Sequence, residues 1–162
     1  MENSVATRAA LPGEIDRLAA LWYESWQDAH AAILPDELRR DRTLESFRRR
    51  LEEALDVVRV AGNPNDPVGF CIVKGDELYQ LYVARTARGS GVAAALVADA
   101  ERRIKDNGAN VAWLACAIGN DRAARFYEKC GWRRIGTMVS QLETAKGTFP
   151  LEVWRYEKKL RP

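Results

Sequence analysis

The six residues from Arg88 to Ala93, which read RGSGVA, have the composition of a loop that binds phosphate groups. Glycines at positions 89 and 91 allow a tight turn and a close approach of the backbone to a ligand. The first N–H groups of a helix lack partners inside it, and the helix dipole adds partial positive charge there. Such a turn can hold a phosphate or pyrophosphate. The other interpretation is a tight strand-to-helix connection without a ligand.

The residues on either side of this loop predict the elements that hold it in place. The segment from Glu77 to Val83 is rich in Tyr, Leu and Val, and its side chains alternate in direction, which indicates a strand. After the loop, apolar residues recur at helical spacing as far as Asn107-Gly108, a pair typical of a helix end. The loop is therefore expected at a strand end and a helix start.

Two nucleotide-binding motifs can be compared with this segment, the P-loop and the dinucleotide fingerprint. The P-loop requires a Gly-Lys-Ser/Thr triplet, and the chain contains none. The dinucleotide fingerprint G-x-G-x-x-G/A is matched by Gly89, Gly91 and Ala94. It should be followed by an acid at the end of the next strand, but Asp121 comes late and has the position of a helix start. An NAD-type site therefore stays as a less favoured alternative.

A third motif fits the chain better. Arg88-x-x-Gly91-x-Ala93 resembles the Q/R-x-x-G-x-G/A pyrophosphate loop of the GNAT superfamily of N-acetyltransferases, with Ala in place of the last Gly. Two further stretches are similar to that family: Leu81-Tyr82-Val83 before the loop, and Asn120…Phe126-Tyr127…Gly131-Trp132 after it. The specific motifs lie between Glu77 and Trp132, and the N-terminal third matches in pattern only.

The pattern of elements agrees with this resemblance. Turn signals at 63–67 and 74–76 predict an antiparallel meander, since such short links cannot join parallel strands. The apolar run Val111 to Ile118 should lie parallel to Glu77–Val83 after a helical crossover. The predicted order is β-α-α-β-β-β-α-β-α-β-β. We expect an α/β (α+β) fold with a mixed, mostly antiparallel sheet, a central splayed parallel pair and flanking helices, in one domain over residues 1–162.

The resemblance implies acetyl transfer from acetyl-CoA to a primary amine by direct nucleophilic attack. It implies that a strand bulge at Leu81 to Val83 presents backbone to the pantetheine arm and the thioester. The implied cofactor-binding residues are Leu81, Tyr82, Val83, Arg88, Gly89, Ser90, Gly91, Val92, Ala93, Asn120 and Tyr127. Asn120 could equally be only a helix cap. A further alternative is a protein that binds acyl-CoA as a sensor without turnover.

Two side chains are candidates for proton transfer under this resemblance. Tyr127 matches a tyrosine near the CoA sulfur, and a phenol with a pKa near 10 can protonate a departing thiolate. The alternative is a packing aromatic beside Phe126. Glu77 lies eleven positions before Arg88, where some histone-type members carry a general base. It could instead be an acid in a hairpin, with ordered water as the base.

The acceptor site is expected at the first helical region and the strand before the loop. Trp26, His30 and Tyr79 are the candidate substrate-binding residues. Trp22 and Trp26 also fall on one apolar helical stripe, so both could be core residues. His30 is the only histidine and has no Cys or acid at ligand spacing, so no metal site is predicted.

Composition limits the remaining function classes. The 162 residues carry a formal net charge of +2, which gives no support to nucleic-acid binding. No apolar run approaches the ~20 residues of a membrane span, and no signal peptide is recognisable. Three cysteines without C-x-x-C spacing predict neither disulfides nor zinc. We expect a cytoplasmic protein acting on a small-molecule or protein amine, and strand edges of the terminal hairpin leave a homodimer open.

Overall fold

The computed structural model describes residues 5–161 of the chain, and within them it contains seven strands and five α-helices. The strands are β1 (Thr7–Ala9), β2 (Val58–Asn63), β3 (Asp66–Lys74), β4 (Glu77–Val83), β5 (Val111–Ala117), β6 (Arg133–Thr144) and β7 (Gly147–Lys159). The helices are α1 (Ile15–His30), α2 (Asp36–Asp41), α3 (Leu44–Ala54), α4 (Val92–Asp106) and α5 (Asp121–Lys129).

The strands form one sheet in the order β1-β2-β3-β4-β5-β7-β6. Neighbouring strands are antiparallel, with the exception of the parallel pair β4 and β5. Helix α4 makes the crossover between these two strands. The predicted fold class is confirmed, because short turns produced antiparallel neighbours and the one helical crossover produced the parallel pair.

The parallel pair separates soon after it begins. Glu77 pairs with Trp113, whose backbone N–H also donates to the Asp76 carbonyl at 3.1 Å. No further pairing joins β4 to β5 among the described residues, so the two strands diverge toward the loop. The divergence leaves a slot through the middle of the sheet.

One detail of β4 differs from the prediction. The bulge was expected at Leu81 to Val83, but those residues pair regularly with β3. The register shifts instead between Ile72 and Val73, which leaves Tyr79 as the extra residue on β4. Residue composition predicts that a strand exists but does not specify its register, which is why the bulge was misplaced.

Apolar side chains cover both faces of the sheet. On one face α4 packs through Leu96, Ala100 and Ile104. On the other face α1 and α3 pack around Trp22, whose ring stacks on Phe47 at a centroid distance of 4.7 Å. The helical stripe read from the sequence is therefore the packed face of α1, and Trp22 is a core residue.

The stretch from His30 to Asp41, which the sequence indicates as a loop or short helical turn, contains the short helix α2 after Pro35. The terminal hairpin is longer than its predicted strands, Trp132 to Leu142 and Leu151 to Tyr156, and Ala145 and Lys146 alone join β6 to β7.

The cysteines are free. Within residues 5–161 no helix is both long and apolar enough to cross a membrane. That part of the chain also holds no group of three or more His, Cys, Asp or Glu side chains suited to a metal ion.

Candidate active site

A cleft of about 360 Å³ opens between α1, the end of β4, the 88–93 loop and α5. We call it the cofactor cleft. The predicted residues that line it are Leu81, Tyr82, Val83, Arg88, Gly89, Gly91, Ala93, Asn120 and Tyr127. Ala94, Arg122, Ala123 and Phe126 complete that side, and Ser25 and Ala29 of α1 form the opposite wall. The loop, β4 and α5 are therefore brought to one site.

The loop has the backbone that the glycines predicted. Gly89 has φ of 78° and Gly91, the residue that precedes α4, has φ of 87°. A Cβ on Gly89 would meet no atom within 4 Å, so the left-handed backbone rather than crowding favours glycine there. The unpaired N–H groups at the start of α4 lie at the wall of the cleft, the arrangement that binds anions.

Two predicted loop residues do not line the cleft with their side chains. The Ser90 hydroxyl donates to the Ala87 carbonyl, which turns the side chain back into the loop. Val92 is buried, and its side chain belongs to the α4 core. Any contact of these two residues with a ligand must therefore come from backbone N–H groups.

Three arginines surround one carboxylate at the mouth of the cleft. Asp28 of α1 forms ion pairs with Arg85 at 2.5 Å, Arg88 at 2.9 Å and Arg122 at 3.5 Å. The hydrogen bond from Arg88 is the main cause of a lowered Asp28 pKa, with further contributions from Arg85. Three positive charges against one negative charge leave an excess that favours an anionic ligand. Only Arg88 of this group belongs to a sequence motif, because the fold brings Asp28 and Arg122 to it from separate helices.

A narrow space between the diverging strands lies between the cofactor cleft and the opposite side of the sheet. This passage has a volume of about 80 Å³ and shares Leu81, Tyr82, Asn120, Ala123 and Tyr127 with the cleft. It shares His30, Tyr79, Gln80, Tyr82, Ala115 and Ala117 with a third cavity of about 120 Å³. We call this third space the acceptor cavity. The shared residues place the three spaces next to one another in series across the sheet.

Tyr127 lies where the passage meets the cofactor cleft. The centre of its ring is 5.5 Å from that of Phe126 and 6.3 Å from those of both Trp132 and Tyr156, so Tyr127 also packs in an aromatic cluster. Burial raises the pKa of Tyr127. The phenol therefore stays protonated at neutral pH, the state that a proton donor needs. Packing and proton donation are compatible for this residue.

Asn120 has two roles in the geometry. Its side-chain oxygen accepts a hydrogen bond from the Ala123 backbone N–H at 3.4 Å and caps α5. The same residue lines both the cofactor cleft and the passage. The structure thus fits the helix cap and leaves Asn120 within reach of a ligand.

The three predicted acceptor residues, Trp26, His30 and Tyr79, line the acceptor cavity. Trp26 is also 95% buried, so it belongs to the core as well. Burial lowers the pKa of His30 to about 4, so its imidazole is neutral near pH 7. The Tyr79 hydroxyl accepts a hydrogen bond from Arg50 at 2.9 Å.

Glu77, the predicted base, begins β4 and lines the same cavity. Burial raises its pKa, and Lys74 opposes the effect. A carboxylate with a raised pKa is a better proton acceptor. Four polar residues of this cavity were not predicted from the sequence: Arg42, Arg50, Gln80 and Ser140. No motif marks them, because the fold gathers them from separate elements.

Comparison with known proteins agrees with this geometry. A model of the acetyltransferase (GNAT) family matches residues 16–132. The uncharacterized N-acetyltransferase Rv2669 of Mycobacterium tuberculosis is 31% identical over 139 residues, which cover 80% of this chain and 89% of that protein. The chain belongs to the GNAT acetyltransferase family, which confirms the resemblance stated from the loop and the Asn120–Trp132 block.

Solved structures share the fold over nearly the whole chain. A GCN5-related N-acetyltransferase from Rhodopseudomonas palustris has a TM-score of 0.75 at 23% identity, covering 99% of this chain and 98% of that one. The PaiA N-acetyltransferase from Thermoplasma acidophilum, solved in complex with coenzyme A, has a TM-score of 0.65 at 22% identity. It covers 96% of this chain and 99% of its own.

Proposed function

We propose that this protein transfers an acetyl group from acetyl-CoA to a primary amine by direct attack of the amine on the thioester. The observation that carries the proposal is the series of adjoining spaces from the cofactor cleft, through the passage, to the acceptor cavity. Two substrates that enter from opposite sides of the sheet would meet between β4 and β5. Membership of the acetyltransferase family and the coenzyme A bound by PaiA support the choice of cosubstrate.

The loop and its arginines are the proposed site for the pyrophosphate. Backbone N–H groups at the start of α4 and the Arg88 guanidinium would bind its oxygens. Asp28 holds Arg88 in place before the ligand arrives. The backbone edge of Leu81 to Val83 that does not pair with β3 faces β5 across the slot. The pantetheine arm would pair with this edge, and the Asn120 side chain would hydrogen-bond to the amides of the arm.

Each reacting proton has a proposed partner. The amine nitrogen bonds to the acetyl carbon as the C–S bond breaks, and the sulfur leaves with the electron pair. Tyr127 donates its hydroxyl proton to this thiolate. A free alkyl ammonium has a pKa near 10.4, so it must lose one proton before attack, and Glu77 would accept this proton directly or through one water. The nitrogen loses its second proton to solvent as the amide forms. Tyr127 regains a proton from solvent, which balances the transfer.

Two other functions are less well supported. An NAD-type site needs parallel strand–helix–strand units on both sides of the loop, but β2, β3 and β4 form an antiparallel meander. A sensor that only binds acyl-CoA would not need a route that crosses the sheet to a second cavity.

The test combines binding and turnover in one preparation. Calorimetric titration should show acetyl-CoA binding, and a panel of primary amines should include at least one that releases free CoA thiol. Absence of acetyl-CoA binding at millimolar ligand would overturn the proposal. Tight binding without thiol release over the whole panel would favour the sensor, and binding of NAD but not CoA would favour the dinucleotide site.

A further inference from the structure

The acceptor cavity contains two arginines that no proposed catalytic step uses. Arg42 lies just after α2 and is 95% buried, and Arg50 of α3 is half-buried. Both line the cavity, but neither lines the passage. The guanidiniums therefore lie in a part of the cavity away from the passage, as Glu77 does.

Of these two arginines, only Arg42 has its positive charge balanced by a nearby carboxylate. Arg42 donates to Asp41 at 2.8 Å and to the Glu143 carbonyl at 2.7 Å. Arg50 forms no ion pair with any described residue: it donates to the Tyr79 hydroxyl and lies 4.4 Å from the centre of the Trp22 ring. A partly buried guanidinium without a counterion is costly, so this arrangement is suited to a ligand that brings a negative charge.

The other groups of the cavity do not supply that charge. Glu77 lines the same cavity, yet it makes no ion pair with Arg42 or Arg50 within the described residues. His30 is neutral near pH 7 and therefore adds no charge of its own. After burial, the nearby charge of Arg50 is the main influence that lowers the pKa of Arg42. The two guanidiniums thus share one unbalanced region of positive potential.

We propose that the acceptor is a small molecule with both a primary amine and a carboxylate, and that Arg50 with Arg42 binds the carboxylate. Planar guanidiniums match a carboxylate through paired hydrogen bonds. The cavity volume of about 120 Å³ suits a compact amino acid rather than a peptide or a nucleotide. With its carboxylate at the arginines, the molecule would extend its amine past Tyr79 and Gln80 into the passage. This inference rests on the acetyl transfer proposed above.

The test uses matched ligand pairs that differ only in charge, namely amino acids and their carboxamides. Wild type should acetylate the amino acid with a kcat/KM roughly 10- to 100-fold above that of its carboxamide, the range of a charged hydrogen bond. Arg50→Gln should reduce this ratio to near one. Arg49→Gln, at an exposed neighbour on the same helix that forms no ion pair within residues 5–161, should keep the wild-type ratio. Thermal unfolding of each variant controls for the packing of Arg50 on Trp22.

A second readout does not depend on turnover. Calorimetry on the protein saturated with CoA should show tighter binding of the amino acid than of its carboxamide, and Arg50→Gln should remove the difference. This measurement separates the two proposals, because it gives a result even if no acetyl transfer occurs. Equal binding of acid and amide to wild type, or failure of both to bind, would overturn the carboxylate site whatever the fate of acetyl transfer.

Discussion

The cofactor cleft and the acceptor cavity lie on opposite sides of the same strand pair, but they are built in different ways. More than half of the residues that line the cleft come from one stretch of the chain, the end of β4, the 88–93 loop and the start of α4, and the others come from α1 and the α5 region. The acceptor cavity is lined by residues from α1, α2, α3, β4, β5, β6 and β7, together with Arg42. One site is specified locally and the other by the whole fold.

That difference explains how much the sequence alone could predict. Gly91 needs its left-handed backbone wherever the loop occurs, so the spacing from Arg88 to Ala93 indicated the cleft directly. Arg50 reaches the acceptor cavity only because α3 packs beside α1. In the sequence it belongs to the basic run Arg48-Arg49-Arg50, which reads as a solvated helix face. Long-range packing decides such placements, and local patterns do not contain it.

The fold was predicted more fully than the site. Helix α4 begins and ends where the apolar period and the Asn107-Gly108 pair predicted. The bulge at Tyr79 and the ion pairs of Asp28 with Arg85 and Arg122 were not predictable, since each depends on register or on contacts between distant elements.

The largest effect is expected at Tyr127, which lies where the cofactor cleft meets the passage to the acceptor cavity. Tyr127→Phe removes the hydroxyl and keeps the ring, so folding and acetyl-CoA affinity should change little. If Tyr127 protonates the thiolate, kcat should fall by roughly 10²-fold. Steady-state kinetics, calorimetry and thermal unfolding of both proteins check this. An unchanged kcat in a variant whose chemical step is rate-limiting would leave Tyr127 with packing alone.

A loss of similar size is expected on the acceptor side. Glu77→Gln should lower kcat/KM by roughly 10²-fold, because the amine loses its proton acceptor. Burial raises the pKa of Glu77, so wild-type activity should fall with decreasing pH at a midpoint above the usual 4.5 of a glutamate. The variant should lack this acid limb in its pH–rate profile. Survival of the limb would assign deprotonation to another group or to water.

A substitution at Gly91 should distort the backbone of the loop that lines the cofactor cleft. Gly91→Val places a branched side chain at φ of 87°, which should distort the turn and weaken acetyl-CoA binding roughly tenfold. Gly108→Val is the matched control, since it has φ of 96° at the far end of the same helix. Both variants should lose similar stability, and only the first should lose affinity. Equal affinities by calorimetry would contradict the role of the loop backbone.

The last expected effect concerns the acceptor side and acts on stability rather than on activity. His30 is the only histidine, and burial lowers its pKa from 6.5 to about 4. Below pH 6.5 the unfolded chain binds a proton that the folded protein excludes. Stability should therefore fall between pH 6.5 and 4, by about 3 kcal/mol from this group. The difference in unfolding free energy between wild type and His30→Gln should shrink as pH falls through this window. A pH-independent difference would contradict a buried, neutral imidazole.

The most direct test of the proposed route blocks the passage without touching the cofactor cleft. Ala115 lines the passage and the acceptor cavity but not the cleft, so Ala115→Leu should fill the route, with Ala115→Ser as a control of nearly unchanged volume. Acetyl-CoA affinity and N-acetylated product, measured by calorimetry and mass spectrometry, should be compared for all three proteins. We expect normal affinity in each, and transfer reduced at least roughly tenfold in Ala115→Leu alone. Full transfer by a folded Ala115→Leu variant would contradict a reaction that takes place through the sheet.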